Sequence, residues 1–192
     1  MPNIAKALNA MKGWHVLAGV CAFFAVIIAV DASFTQINAL AYDEGQQIIW
    51  VAGGNFITAI YSNMTTRTIP HVGAPSFPTD EYYSAIALSS DGATIFAASY
   101  YFNHIVVIKP GLSNGGADPL WGYPTLAGAT LGSLYETGYV DAVGTNARFS
   151  GPSGMVLSGT TLYISDGWNF RIQALDIVSQ RVTTIAGDGS DN

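Results

Sequence analysis

The chain has 192 residues, 49% of them hydrophobic and only 10% charged, a composition that excludes a disordered polypeptide. Acidic residues outnumber basic ones, 13 to 7, and after position 32 the remaining cations Arg67, Lys109, Arg148, Arg171 and Arg181 are scattered along the sequence. Phosphate backbones are held by clustered cations that release counterions, so nucleic acid is not expected as a partner.

In chain order, the first element is hydrophobic. Lys6 and Lys12 precede a nearly unbroken apolar run from His15 to Val30. A positive flank followed by such a run is a hydrophobic helix that directs the chain to a membrane, and at about 16 residues it is nearer a signal-peptide core than the ~20 of a full span. Val30-Asp31-Ala32 offers a small residue for cleavage after Ala32. Residues 1–32 are therefore expected to be a signal peptide or, if uncleaved, a membrane anchor and the chain's sole membrane contact. The rest of the chain is then secreted or displayed at the cell surface. The single cysteine, Cys21, lies inside this run, so no disulfide can brace the remainder of the chain.

From position 33 one phrase is written three times. Ile49-Trp50-Val51-Ala52, Ile95-Phe96-Ala97-Ala98 and Leu162-Tyr163-Ile164-Ser165 are each followed by a short turn carrying Asn (Asn55, Asn103, Asn169) and a second apolar run. Repetition of a hairpin at this period is the signature of a repeat architecture. Four strands fit each copy: 37–42, 47–52, 56–61 and 66–72; then 84–88, 94–99, 105–109 and a displaced 123–127; then 154–157, 161–165, 171–176 and 181–186. Turn residues tolerant of positive φ, such as Asp43-Glu44-Gly45, Ser90-Asp91-Gly92 and Ser158-Gly159, fall between first and second strands. The Gly-rich stretch 111–148 reads as a long loop or insertion.

The last third is more specific. Thr125-Leu126-Ala127-Gly128, Gly138-Tyr139-Val140-Asp141-Ala142, Asn146-Ala147-Arg148-Phe149, Gly151-Pro152-Ser153-Gly154, Leu162-Tyr163-Ile164-Ser165-Asp166 and Asn169-Phe170-Arg171-Ile172, closing with Val182-Thr183-Thr184-Ile185-Ala186-Gly187, resembles an NHL-repeat β-propeller over about Tyr123 to Gly189. Asn103-His104-Ile105 is similar to the same motif, whereas Asn55-Phe56-Ile57 has a shorter turn and lacks the Asp. The resemblance implies an all-β fold with about three blades of a partial ring, near 34–73, 82–128 and 149–187, behind the N-terminal hydrophobic helix. Closed propellers use about four to eight blades, so apolar faces are expected at the open ends.

Chemistry is sparse. His71 and His104 lack the spacing of a metal pair, and His15 sits in the leader. The resembled family includes a zinc lyase that completes peptide amidation, but this chain has too few histidines for that site to carry over, and no catalytic residue is transferred. Asp166, Asn169, Asn103 and Asn55 offer oxygens to a channel metal, yet turn fixation explains them better. No catalytic residue, cofactor or metal is therefore assigned. Tyr82, Tyr83, Tyr100, Tyr101, Phe102, Trp121, Tyr123, Tyr135, Tyr139 and Trp168 crowd into turns and loops. Tyr100, Tyr101, Phe102 and Trp168 occupy equivalent second-to-third turns and form the candidate recognition face, since aromatic side chains offer rigid apolar area with a polar handle. Asn63-Met64-Thr65 fits an N-glycosylation acceptor. The expected role is a binding or assembly module for protein or glycan partners. A self-assembling subunit of an extracellular polymer, or a metal-dependent hydrolase or lyase completed by further blades, are the alternatives.

Overall fold

The computed structural model describes residues 37–53, 56–63, 65–70, 82–111, 123–130 and 136–190. The hydrophobic helix expected within residues 1–32 lies outside them. Among the described residues, no helix is long and apolar enough to cross a membrane.

Twelve strands form three four-stranded sheets, each an antiparallel meander in chain order. Blade I holds β1 (Ala39–Asp43), β2 (Ile48–Gly53), β3 (Phe56–Ile60) and β4 (Thr66–Pro70). Blade II holds β5 (Tyr83–Leu88), β6 (Ile95–Ser99), β7 (His104–Ile108) and β8 (Thr125–Gly128). Blade III holds β9 (Pro152–Ser158), β10 (Thr161–Asp166), β11 (Arg171–Asp176) and β12 (Val182–Ala186). The first strand β5 packs beside both β1 and β9, so the sheets succeed one another around an axis lined by first strands.

Side-chain alternation explains the stacking. Along β6 every residue is buried, because Ile95 and Ala97 enter the core shared with blade I while Phe96 and Ala98 enter the core shared with blade III. A strand covered on both faces loses its polar alternation. The blade I–II junction is built on Trp50, Ala52, Ile57 and Ala59, and the blade II–III junction adds Leu162, Ile164, Leu175 and Val182.

The stretch expected to be a loop at 111–148 has more structure than its composition suggests. Besides β8, its residues Asp141 to Gly144 cover the outer edge of β12. Val182 N–H donates to the Ala142 carbonyl at 2.8 Å, and Asp141 accepts from the backbone N–H and hydroxyl of Thr184 at 2.8 and 2.9 Å. Ala147 and Phe149 are fully buried beside the second core. An edge strand blunted in this way is closed to pairing with another chain.

The repeats are aligned by their irregularities. Ser84 in β5 and Ser153 in β9 are both bulged residues, and a second bulge recurs where β7 meets β8 and β11 meets β12. This register corrects one equivalence. The left-handed residue of the second-to-third turn is Asn103 in blade II (φ 55°) and Phe170 in blade III (φ 50°), so Asn169 precedes the position that Asn103 occupies.

Candidate functional site: an aromatic end face spanning the blades

At one end of the sheets, the second-to-third turns meet the segments that enter the first strands. Trp168 lies in a one-turn 3-10 helix, Gly167–Asn169, between β10 and β11. Its backbone N–H donates to the Ser150 carbonyl at 3.0 Å, and its indole rests on Gly151, where an added Cβ would overlap the ring. The indole N–H donates to the Tyr100 hydroxyl of blade II at 2.5 Å. Tyr100 stands edge-on to Tyr101, with ring centroids 5.2 Å apart, and Tyr82 meets both at 6.1 and 5.5 Å. Edge-to-face pairs of this kind are favoured by the ring quadrupole. Tyr82 in turn donates to the Asn38 side chain at 2.9 Å, which ties blade I into the cluster. The exposed surfaces of this patch are Trp168 and Tyr101.

Phe102 departs from the expectation. It is buried and stacks on the fully buried His104, with ring centroids 6.0 Å apart, because the left-handed Asn103 turns the chain inward. Tyr83 and Tyr123 are also core residues, while Trp121 and Tyr135 lie outside the described residues. Composition alone could not separate these tyrosines. Tyr82 and Asn38 become visible only once the start of each first strand is placed at the same end as the second-to-third turns. Tyr139 extends the face with an exposed ring under the Arg171 guanidinium, 3.9 Å from its centroid, a cation–π contact.

The polar residues beneath the face are occupied by the fold. Asn103 Oδ1 accepts from the buried Gly151 N–H at 2.8 Å. Asp166 is fully buried; one oxygen accepts from Ser150 N–H and the other from Asn169 Nδ2, both at 2.6 Å. Asn169 Nδ2 also donates to the Gly138 carbonyl at 2.7 Å. The turn residues thus bond across to the segment entering blade III, farther than local turn fixation requires. His104 Nδ1 lies 3.1 Å from the Ala129 carbonyl, and Arg171, its counterpart in blade III, donates to the Asp188 carbonyl at 2.7 Å. Asn55 lies outside the described residues. Among the described residues, no three His, Cys, Asp or Glu side chains group as a metal site would need.

Burial pushes the Asp166 carboxyl above its ordinary value, against the opposing pull of Asn169, Ser150 and Arg171. A raised folded-state pKa means that this carboxyl favours folding fully below its unfolded value near 3.8, and that the contribution is lost as pH rises through the folded value. Asp176 and Asp188 are held below their ordinary value by hydrogen bonds from Ser179 and Ser190. Their contribution is present above 3.8 and is lost as pH falls through their folded values. A carboxyl-carbon NMR titration is expected to find Asp166 titrating above 3.8 and the other two below it.

Asn63 is exposed in the turn between β3 and β4, where its Oδ1 accepts from Thr65 N–H at 3.0 Å and the Thr65 hydroxyl at 2.7 Å.

No family model matches the chain. Two curated relatives do: NHL repeat-containing protein 2 of Bos taurus is 30% identical over 117 residues, and that of Homo sapiens 36% identical over 62. These alignments cover 56% and 31% of this chain but only 14% and 8% of the relatives. Among solved structures, an auxiliary nutrient binding protein from Bacteroides thetaiotaomicron superimposes with a TM-score of 0.60 at 16% identity, covering 79% of this chain and 36% of that one. A structural genomics protein of unknown function from the same species reaches 0.65 at 17%, covering 83% and 38%, and the WD40 repeats of RRP9 reach 0.54 at 15%, covering 79% and 39%. At these identities the structural likeness concerns the fold. Sequence and fold together give the chain an NHL-type repeat resemblance on a β-propeller architecture.

Proposed function

We propose that this chain is a recognition module of a secreted or membrane-tethered propeller, binding a protein or glycan partner through the end face built by Trp168, Tyr101, Tyr100 and Tyr82. The observation that carries this reading is the Trp168–Tyr100 bond between neighbouring blades. It fixes two rings from different sheets before any ligand arrives, and leaves Trp168 and Tyr101 open. Preorganised aromatic groups lose little entropy on binding and make strong anchors. The nutrient binding protein among the structural relatives supports the reading as a likeness of fold. The leader read in residues 1–32 supports delivery across a membrane, and the exposed Asn63 turn is the glycan acceptor along that route.

The test is capture of partners from an extract of the native source, together with a glycan array, using the wild-type chain and the double variant Trp168→Ala, Tyr101→Ala. Truncating two exposed anchors is expected to weaken retained partners by at least about tenfold, as for residues each contributing about 1–2 kcal/mol. Unchanged capture by a variant with wild-type far-ultraviolet circular dichroism and cooperative urea unfolding would remove the end face as the binding surface.

A further inference from the structure

We infer that the end face takes a neutral sugar: Trp168 is a stacking platform for the C–H side of a pyranose unit in a glycan, with the phenols of Tyr100 and Tyr101 as its hydrogen-bonding partners. This inference rests on the reading of the end face as the binding surface and names the ligand class. The orientation of the indole comes first. A Cβ on Gly151 would meet Cδ1, Nε1 and Cγ of Trp168, so the five-membered ring lies against the backbone and the six-membered ring carries the exposed area of a residue that is 65% exposed. An indole has a single polar atom, a donor, and here that donor is already given to Tyr100 at 2.5 Å. What Trp168 offers a ligand is therefore an apolar π surface. Such a surface attracts the weakly positive C–H groups along one side of a pyranose, because the ring quadrupole is negative over its face.

The polar groups beside the platform are neutral hydroxyls. Tyr100 accepts the indole proton and keeps its own to donate, and Tyr101, 49% exposed and edge-on to Tyr100, presents a second phenol. A phenol both donates and accepts, which matches the hydroxyls of a sugar. The charges carried by the same turn and by the segment entering blade III are engaged within the protein. Both oxygens of Asp166 accept, from Ser150 and Asn169; Arg171 lies over the Tyr139 ring and donates to the Asp188 carbonyl; Arg148 pairs with Glu136 at 2.8 Å. Each of these charges already has its partner, which favours an uncharged ligand over an acidic or basic one.

Size separates a glycan from a protein partner. Aromatic side chains bury about 150–250 Å² each, so the exposed parts of Trp168 and Tyr101 together offer about 250 Å². A stable protein interface takes about 800 Å² from each partner, whereas a short run of sugar rings matches the smaller patch. The Trp168–Tyr100 bond and the edge contact of Tyr100 with Tyr101 hold the two rings in place before binding. Such preorganisation matters most for a small ligand, which has few contacts to offset its lost freedom.

Saturation-transfer NMR on the full chain tests this, with neutral oligosaccharides of glucose, galactose, mannose and N-acetylglucosamine added to about 10 mM and their sulfated or sialylated counterparts beside them. Saturating the aromatic protons is expected to reach the C–H groups on one side of a neutral sugar ring, with binding unchanged between low and high salt. Trp168→Ala and Tyr101→Ala, each checked for wild-type far-ultraviolet circular dichroism and cooperative urea unfolding, are each expected to weaken binding at least about tenfold. Tyr101→Ala leaves the Trp168–Tyr100 bond in place, so its loss reports the ligand contact and not the junction. No saturation of any neutral sugar, equal saturation with wild type and Trp168→Ala, or binding confined to the charged glycans would each overturn the inference. If no sugar is saturated while partner capture still falls in the double variant Trp168→Ala, Tyr101→Ala, this inference fails and the recognition face stands; if capture is unchanged as well, both fail.

Discussion

Gly128→Ala is expected to unfold the repeat region or to destabilise it by more than about 4 kcal/mol, the range reached when a substitution forces backbone apart. Gly128 closes β8 at φ +100°, a conformation open to glycine and strained for any L side chain. Strain alone would be tolerable. Crowding costs more, because a Cβ here would overlap the Asn103 carbonyl oxygen, lie 2.7 Å from His104 Cα and 3.0 Å from the Phe149 ring. Two of these three neighbours are backbone, and Phe149 is fully buried, so none can give way without displacing β7 or the second core. Gly187 stands at the same position of blade III, at φ +87° and 2.9 Å from Arg171 Cα, so the same clash recurs there. The control is Gly159→Ala: φ is +59° but no atom lies within 4 Å, and only strain of about 1 kcal/mol is expected. Urea denaturation of the three variants decides the matter, and comparable losses at Gly128 and Gly159 would refute the crowding account.

The second large effect is at Asn103. Its side chain joins blade II to the segment entering blade III, accepting from Gly151 N–H inside the structure, while its backbone holds the left-handed turn at φ 55°. Asn103→Leu removes the acceptor, strands a buried N–H and puts a branched side chain where asparagine is tolerated. Together these are expected to cost about 2–4 kcal/mol, from about 1–3 for the unsatisfied donor and about 1 for the backbone. Asn103→Gly keeps the turn and loses the acceptor together with the longer bond from Nδ2 to the Tyr101 carbonyl at 3.3 Å, so its loss should be about 1–3 kcal/mol, set mainly by the stranded Gly151 N–H. Equal stability of Asn103→Gly and wild type in denaturant unfolding would show that the inter-blade bond is neutral.

The division between what the sequence disclosed and what it hid has physical causes. Hairpins were legible because Ile95-Phe96-Ala97-Ala98 and Leu162-Tyr163-Ile164-Ser165 are short apolar runs closed by turn residues, and β8 was found despite its distance because Thr125-Leu126-Ala127-Gly128 matches the end of blade III. The burial of Phe102 was not legible. It follows from the conformation of Asn103, and a string of Tyr100-Tyr101-Phe102 carries no mark of which ring turns in. The partners of Asp166 and Asn169 were hidden for a different reason. Their bonds run to Ser150 and Gly138, and only the assembled sheet brings that segment over the turn. The role of residues 141–144 as an edge cover was hidden likewise, since loop composition says nothing of which strand a loop lies against.

The central claim is that consecutive repeats stack as neighbouring blades and thereby join Tyr100 to Trp168 across the junction. A nitrogen-edited NOESY spectrum, with the Trp168 indole assigned by Trp168→Phe, measures this contact directly. Cross-peaks from the Trp168 indole N–H to the Tyr100 ring are expected, since the two side chains are hydrogen-bonded. A well-dispersed spectrum in which that indole N–H shows no contact with blade II would contradict both the stacking and the end face built on it.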